Sequence, residues 1–186
     1  MSHQFFNALT DASQNNKGLP PVENWDPDFC GEIDILIKAN GDWLHNGTLI
    51  NRKNLSVLFS RVLIKQGAEY FLITPVEKMA IKVEWQPFVI VDFEKVTKTE
   101  VEYYLFVDNC NNQIKLTKPQ QLEFSDYQGQ QMPIINVRRN LFASFSRNCY
   151  YRLIEQAAIV SSKQKQTVQI ASGGINFSLG DFSEET

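Results

Sequence analysis

Arg52-Lys53-Asn54-Leu55-Ser56-Val57-Leu58-Phe59-Ser60-Arg61 is echoed later in the chain by Arg138-Arg139-Asn140-Leu141-Phe142-Ala143-Ser144-Phe145-Ser146-Arg147. Arg52, Asn54, Leu55, Phe59, Ser60 and Arg61 meet identical residues at Arg138, Asn140, Leu141, Phe145, Ser146 and Arg147, without a gap. In the first copy Leu55, Leu58, Phe59, Val62 and Leu63 fall at i, i+3, i+4, i+7 and i+8, the spacing that sets one apolar stripe on a helix. Both copies are accordingly expected to be helices, with Arg52 and Arg138 in their first turns. Each helix would anchor one half of a duplicated α+β fold. Ligand pockets favour the junctions of such halves, so a groove between them is where a site is expected.

Upstream of the first copy, Glu32 to Lys38 alternates strictly, with Ile33, Ile35 and Ile37 on one face and Glu32, Asp34 and Lys38 on the other, as a half-buried strand does. Asn40-Gly41 tolerates the positive φ of a two-residue type I′ turn. Centring the turn there pairs Lys38 with Trp43, Ile37 with Leu44 and Leu36 with His45, and makes Asp34 and His45 diagonal neighbours. Asn46-Gly47 is a second turn signal, and Asn51 is placed to cap the first helix. That helix is expected to stop near Gly67. Glu69 to Thr74 and Met79 to Glu84 read as strands joined through Pro75. The first half thus reads hairpin, helix, two strands.

In the second half, Pro87 to Phe93 reads as a bridge and Val101 to Val107 as the first clear strand, turned back by Asn109-Cys110-Asn111-Asn112. Gln113 to Leu116 returns. Thr117 to Met132 is a polar loop, broken by Pro119 and Gly129, with one short strand at Leu122 to Phe124. Ile134 to Val137 leads into the second helix, expected to run to about Val160. Thr167 to Ala171 and Ile175 to Leu179 then form strands around Gly173-Gly174. The segments expected are a tail over 1–19, an N-terminal α+β domain over 20–86 and a C-terminal α+β domain over 87–182. The tail is rich in Asn, Gln and Ser, which bury too little to offset ordering.

At 186 residues, 43% hydrophobic and 12% aromatic, the chain can bury a substantial core. Its 18 basic and 21 acidic residues leave a net charge of −3, and the basic residues are scattered, which argues against a nucleic-acid surface. No apolar run is long enough to span a membrane. With no basic-then-apolar leader, the expected location is cytoplasmic. Cys30, Cys110 and Cys149 suit that reducing compartment. Their odd number and unpaired spacing argue against a disulfide framework or a structural zinc, and neither a cofactor nor a metal is expected.

Several blocks together are specific. Pro21-Val22-Glu23 with Trp25, Pro27 and Phe29-Cys30-Gly31-Glu32-Ile33-Asp34 come first, then Gly41 with Trp43 and Gly47. Thr74-Pro75-Val76-Glu77-Lys78 follows, and then Arg138, Leu141 and Arg147 with Tyr150-Tyr151. Over nearly the whole chain after the tail, this pattern resembles the bacterial domain-of-unknown-function 1285 family. The resemblance implies an α+β duplication and a C-terminal half loosely like a pleckstrin-homology fold. It also implies a site at the interface of the halves that includes a nucleophilic cysteine, and a role in signal transduction. Only Cys30 lies within the matching motif.

The residues weigh that implication against plainer roles. Cys30 precedes Gly31 in what reads as a non-repetitive segment, where functional residues concentrate; the plainer role is a small buried hydrophobe. A nucleophilic thiol needs a base or a cation beside it. His45 is far along the strand, so activation would fall to Arg52 or Arg138. Those arginines, at helix starts where the dipole disfavours a cation, would bind an anion or an internal carboxylate such as Glu77, Asp34 or Glu32. Asp34 with His45 could do acid–base work, but reads more simply as a surface pair. Trp25, Trp43 and Phe29 could wall a pocket or merely pack. The binding candidates are therefore Trp25, Asp34, Trp43, Arg52, Thr74, Glu77 and Arg138, with Cys30 as candidate nucleophile. The expected activity is that of a binding module for a small molecule or peptide, an enzyme acting through Cys30 being the alternative. A third expectation is a protein partner recruited by an open sheet edge of the C-terminal half.

Overall fold

The computed structural model describes Leu9 and residues 18–162 and 165–182. It divides into two compact units, residues 1–87 and 88–186.

Unit 1 contains β1 (Phe29–Ile37), β2 (Trp43–His45), β3 (Thr48–Leu49), helix α1 (Lys53–Arg61), β4 (Leu63–Gln66), β5 (Glu69–Ile73) and β6 (Lys78–Val83). They form one six-stranded sheet in the order β3-β2-β1-β6-β5-β4. The central pair β1 and β6 is parallel and the others are antiparallel. Ile33, Ile35 and Ile37 are buried as the alternation requires. Trp43 stacks on Phe59 at 6.1 Å between centroids and pins the apolar stripe of α1. Of the expected tail, Leu9 is helical and buried, and the carbonyl of Gly18 accepts a hydrogen bond from the Arg61 guanidinium. Residues 1–8 and 10–17 lie outside the described residues.

Unit 2 contains β7 (Phe88–Lys98), β8 (Val101–Asp108), β9 (Gln113–Lys115), a 3-10 turn (Pro119–Gln121), β10 (Leu122–Tyr127), β11 (Gln130–Arg138), β12 (Leu141–Phe145), helix α2 (Arg147–Glu155), β13 (Ala158–Ser162), β14 (Lys165–Ser172) and β15 (Ile175–Phe182). Its main sheet runs β10-β11-β12-β7-β8-β9, with β7 and β12 parallel. Matching β7 to β12 in chain order with β1 to β6 makes the two sheets the same: three strands, a crossover, three strands, and a parallel pair of first and last strands at the centre. Its separate second sheet, β13-β14-β15, packs on the main sheet through β8 and β11. Ser172 bolts it down, its Oγ accepting from Tyr104 N at 3.0 Å and donating to Leu116 O at 2.6 Å.

The duplication is present, but its repeating unit is not hairpin, helix, two strands. The Arg52–Arg61 and Arg138–Arg147 copies also occupy different elements. The first is helix α1; the second is the end of β11, a turn and β12, with helix starting only at Arg147. The counterpart of α1 in unit 2 is the 3-10 turn Pro119–Gln121, and α2 lies beyond the repeat. Helix α1 also ends at Arg61 rather than near Gly67, because Leu63–Gln66 is taken up by pairing with β5. Its N-cap is Arg52, without a side-chain cap, and not Asn51. Helix α2 ends at Glu155, short of Val160, since 158–162 pairs with β14.

Three turns correct the expected strands. Gly41 N donates to Lys38 O at 2.9 Å and Lys38 N to Asp42 O at 2.8 Å, while Gly41 has φ 88°. The loop thus has three residues, a turn followed by a left-handed residue. The register slips by one, setting Ile35 opposite His45. A one-residue slip moves a side chain to the other face, so His45 and Asp34 stand on opposite faces and their acid–base pairing is lost. The two-residue turn with two positive φ values is Asn46-Gly47 instead. Of the expected polar loop over 117–132, the short strand at Leu122–Phe124 is the start of β10, and the rest is a 3-10 turn and the hairpin β10–β11, turning at Gln128-Gly129 with φ 55° and 81°. Pro133 is tolerated in β11 because it precedes the stretch, from Ile135 on, that β12 pairs.

Candidate functional site

Helix α2 presents Arg147, Tyr150 and Tyr151 at i, i+3 and i+4, one face of a helix, while Cys149 and Leu153 go into the core. Ser146 starts it, its Oγ accepting from Cys149 N. The exposed face of α2 and the β10–β11 hairpin flank an open cavity of about 590 Å³ walled by Tyr127, Met132, Phe145, Tyr150 and Tyr151, with Arg147 as its cation. Gln128 and Gln130 complete the lining, so no acid faces the guanidinium from the walls. Arg147 lies over the Tyr151 ring at 5.5 Å and has no carboxylate partner among the described residues.

The back wall is fixed. Phe93, Tyr104, Phe106, Phe145 and Tyr150 form a chain of ring contacts, at 5.7, 5.9, 5.6 and 6.2 Å in that order, that runs from the core to the cavity. Tyr150 Oη donates to Leu179 O at 2.8 Å, and burial pushes its hydroxyl above the ordinary range, so it stays a protonated donor. Tyr151, in contrast, is 52% exposed. The cavity therefore has a rigid inner side and an adjustable rim.

None of the residues singled out from the sequence lines it. Trp43 is 2% exposed and serves the unit 1 core. Thr74 is fully buried and closes the β5–β6 turn, its Oγ1 accepting from Glu77 N at 3.1 Å, so Thr74 and Glu77 hold a turn together. Trp25 is half-buried after the 3-10 turn Val22–Asn24, Asp34 is exposed on β1, and Arg52 is exposed. Cys30 lies within β1 rather than in an irregular segment. It is exposed, and its thiol donates to Asp28 O at 3.3 Å.

Arg138 belongs to unit 2 and to β11, not to a helix start. Its guanidinium sits over the Phe88 ring at 4.9 Å and donates to Asn112 Oδ1 at 2.9 Å. Asn112 in turn donates to Asp108 at 2.7 Å, and that carboxylate also accepts from the backbone N–H of Cys110 and Asn112. Arg138 thus has the internal acidic counterpart expected of it, but the carboxylate is Asp108, reached through Asn112. Burial dominates at Asp108 and holds its carboxyl above the usual range despite these donors and the nearby Arg138.

A smaller cavity in unit 1, about 320 Å³, is bordered by Glu32, Glu69 and Lys82 over Ala68 and Ala80. Ile33, Tyr70, Ile81 and Val83 add apolar wall, but its acids and its one lysine are mixed, unlike the single unopposed cation of the unit 2 cavity. Among the described residues no group of three His, Cys, Asp or Glu is placed to hold a metal, and no helix is long and apolar enough to cross a membrane.

Residues 20–86 match the N-terminal domain of a family described as a domain of unknown function, DUF1285, and residues 87–179 match its C-terminal domain. The chain belongs to the DUF1285 family. A DUF1285 protein from Silicibacter pomeroyi DSS-3, solved by crystallography, is 30% identical over 96% of each chain, with a TM-score of 0.77. A second, from Shewanella baltica OS155, is 30% identical over 65% of this chain and 90% of its own, with a TM-score of 0.54. No curated protein matches. Arg147 and Tyr150-Tyr151 lie within the matched C-terminal domain and line the cavity. The helical spacing of this triplet was the available signal for the site; the opposing hairpin had none beyond Gly129.

Proposed function

We propose that this protein is a non-catalytic binding module that holds a small ligand with an apolar, preferably aromatic, body and one anionic group in the cavity of unit 2. The observation that carries the reading is the lining itself: aromatic walls, a thioether and one guanidinium with no acid opposite, in a volume within the range of about 300–1,000 Å³ typical of small-molecule sites. The anionic group would meet Arg147 in charge-assisted hydrogen bonds, and the body would stack on Tyr151 and Phe145. Signal transduction, the role the family resemblance implies, is a use for such binding in a protein without a reacting group at the site. Three free cysteines suit the cytoplasm for it. The enzyme alternative asks Cys30 to act as a nucleophile, which requires a base or a cation beside it; its recorded partner is a carbonyl oxygen.

The test uses naphthalene-2-sulfonate and its neutral counterpart naphthalene-2-methanol as probes, followed by NMR. The sulfonate should perturb the Met132 methyl and the Tyr151 ring, and bind at least about tenfold more tightly than the alcohol, a charged hydrogen bond being worth roughly 1.5–3 kcal/mol. Arg147→Gln should remove that preference. Equal binding of both probes, or perturbations confined to unit 1, would refute the reading.

A further inference from the structure

Along β6, Lys78, Ala80 and Lys82 share one face of the unit 1 sheet, and buried Ile81 points to the other. Ala80 has Glu32 of β1 on one side and Phe71 of β5 on the other. Lys78 lays its ammonium over the Phe71 ring at 5.6 Å, which leaves Lys82 as the cation beside the cavity. Between these two long side chains Ala80 brings only a methyl, and that shortfall opens the space of about 320 Å³ bordered by Glu32, Glu69 and Lys82. The register that pairs Tyr70 with Ile81 carries Glu69 to the place opposite Lys82. Glu32 stands apart from them, about 8 Å from Lys82 between Cα atoms at ordinary strand spacing and rise. All three side chains are exposed, and no ion pair joins them among the described residues.

We propose that this cavity is a second binding site, for a free basic α-amino acid of lysine's length. An α-amino acid carries its ammonium and its carboxylate on one carbon, so its head needs an acid and a base side by side. Glu69 and Lys82 are that pair. A distal cation on an apolar stem needs another acid several methylenes away, which is Glu32, and Ala80 and Ala68 lie beneath the stem. The charges agree, because two acids and one base leave a single negative charge and a basic amino acid brings a single positive one. A neutral amino acid would leave Glu32 unmet, and a diamine would leave Lys82 unmet. The volume lies at the low end of the roughly 300–1,000 Å³ of small-molecule sites, as a ligand of this size requires. The site is independent of the unit 2 cavity, whose unopposed Arg147 calls for a ligand of the opposite sign.

The test is an NMR titration of the full-length protein, labelled at its alanine methyls, with L-lysine, L-norleucine and cadaverine. Norleucine lacks the distal cation and cadaverine the carboxylate. L-Lysine should shift the Ala68 and Ala80 methyl signals saturably and bind about fivefold more tightly than either, the upper end for an exposed ion pair. Glu32→Gln should erase the preference over norleucine and Lys82→Gln the preference over cadaverine, while Arg147→Gln should change neither. Both substituted positions are exposed on strands, so the variants should keep the near-ultraviolet circular dichroism spectrum of the wild type. No saturable shift at these two methyls, or equal binding of all three compounds, would overturn the proposal. So would preferences that survive Glu32→Gln and Lys82→Gln.

Discussion

Asp108 is 1% exposed, and three hydrogen bonds do not fully replace the water its carboxylate loses. Its folded pKa is raised above the unfolded value by burial. The folded state therefore holds the proton more tightly, and the stability this contributes is present below the unfolded pKa and lost as pH rises through the folded one. Asp108→Asn removes that dependence. The difference in urea midpoint between variant and wild type should move in the variant's favour as pH rises from about 4 toward neutrality; movement the other way would mean that the donors and Arg138 outweigh burial. The cysteines give a second prediction at this scale. Cys149 is buried and its thiol is pushed up to about 11, and Cys110 is buried, whereas Cys30 is exposed. Iodoacetamide near neutral pH should label Cys30 first and reach the other two only on unfolding. Equal rates at Cys30 and Cys149 would contradict the placement of α2 against the core.

Hairpins decided which elements could be read beforehand. Asn46-Gly47 has the residues its positive φ values require and was legible; Thr99-Glu100, with φ 51° and 65°, has neither Gly nor Asn, so the β7–β8 hairpin gave no sign and most of β7 passed as a bridge. A β-branched residue in the left-handed region is strained by about 1–2 kcal/mol. Replacing Thr99-Glu100 by Asn-Gly should raise stability by about 1 kcal/mol and leave the fold unchanged, as read by the denaturant midpoint. A loss of stability would show that those side chains make contacts that offset the strain. The β10–β11 hairpin was missed for a related reason. β10 is an edge of which only Leu122–Phe124 reads as strand, its exposed later residues such as Asp126 reading as loop. Half of the candidate cavity's wall went unseen with it. The α2 face shows in the i, i+3, i+4 spacing of Arg147, Tyr150 and Tyr151, but that spacing marks a helix face and not by itself a site.

The duplication lies in sheet topology, with a parallel pair of first and last strands in each unit, and an ungapped sequence echo was a poor guide to it. Arg52–Arg61 and Arg138–Arg147 match in residues while folding as helix and strand, because Leu141–Phe145 is held between β7 and β11, and those neighbours override local helical spacing. The alternation of β1 and the turn at Pro75 were local signals and came through; the strand order, made by contacts far apart in sequence, was not written in any one segment. The site follows the same division. Cys30 stood out by motif, and the cavity of unit 2 stands out by geometry. A thermal-shift titration with naphthalene-2-sulfonate on the wild type, Cys30→Ser and Arg147→Gln separates them, since a ligand of the native state raises the midpoint by mass action. The cavity account predicts a rise that Cys30→Ser keeps and Arg147→Gln loses. A rise abolished by Cys30→Ser and retained in Arg147→Gln would contradict it.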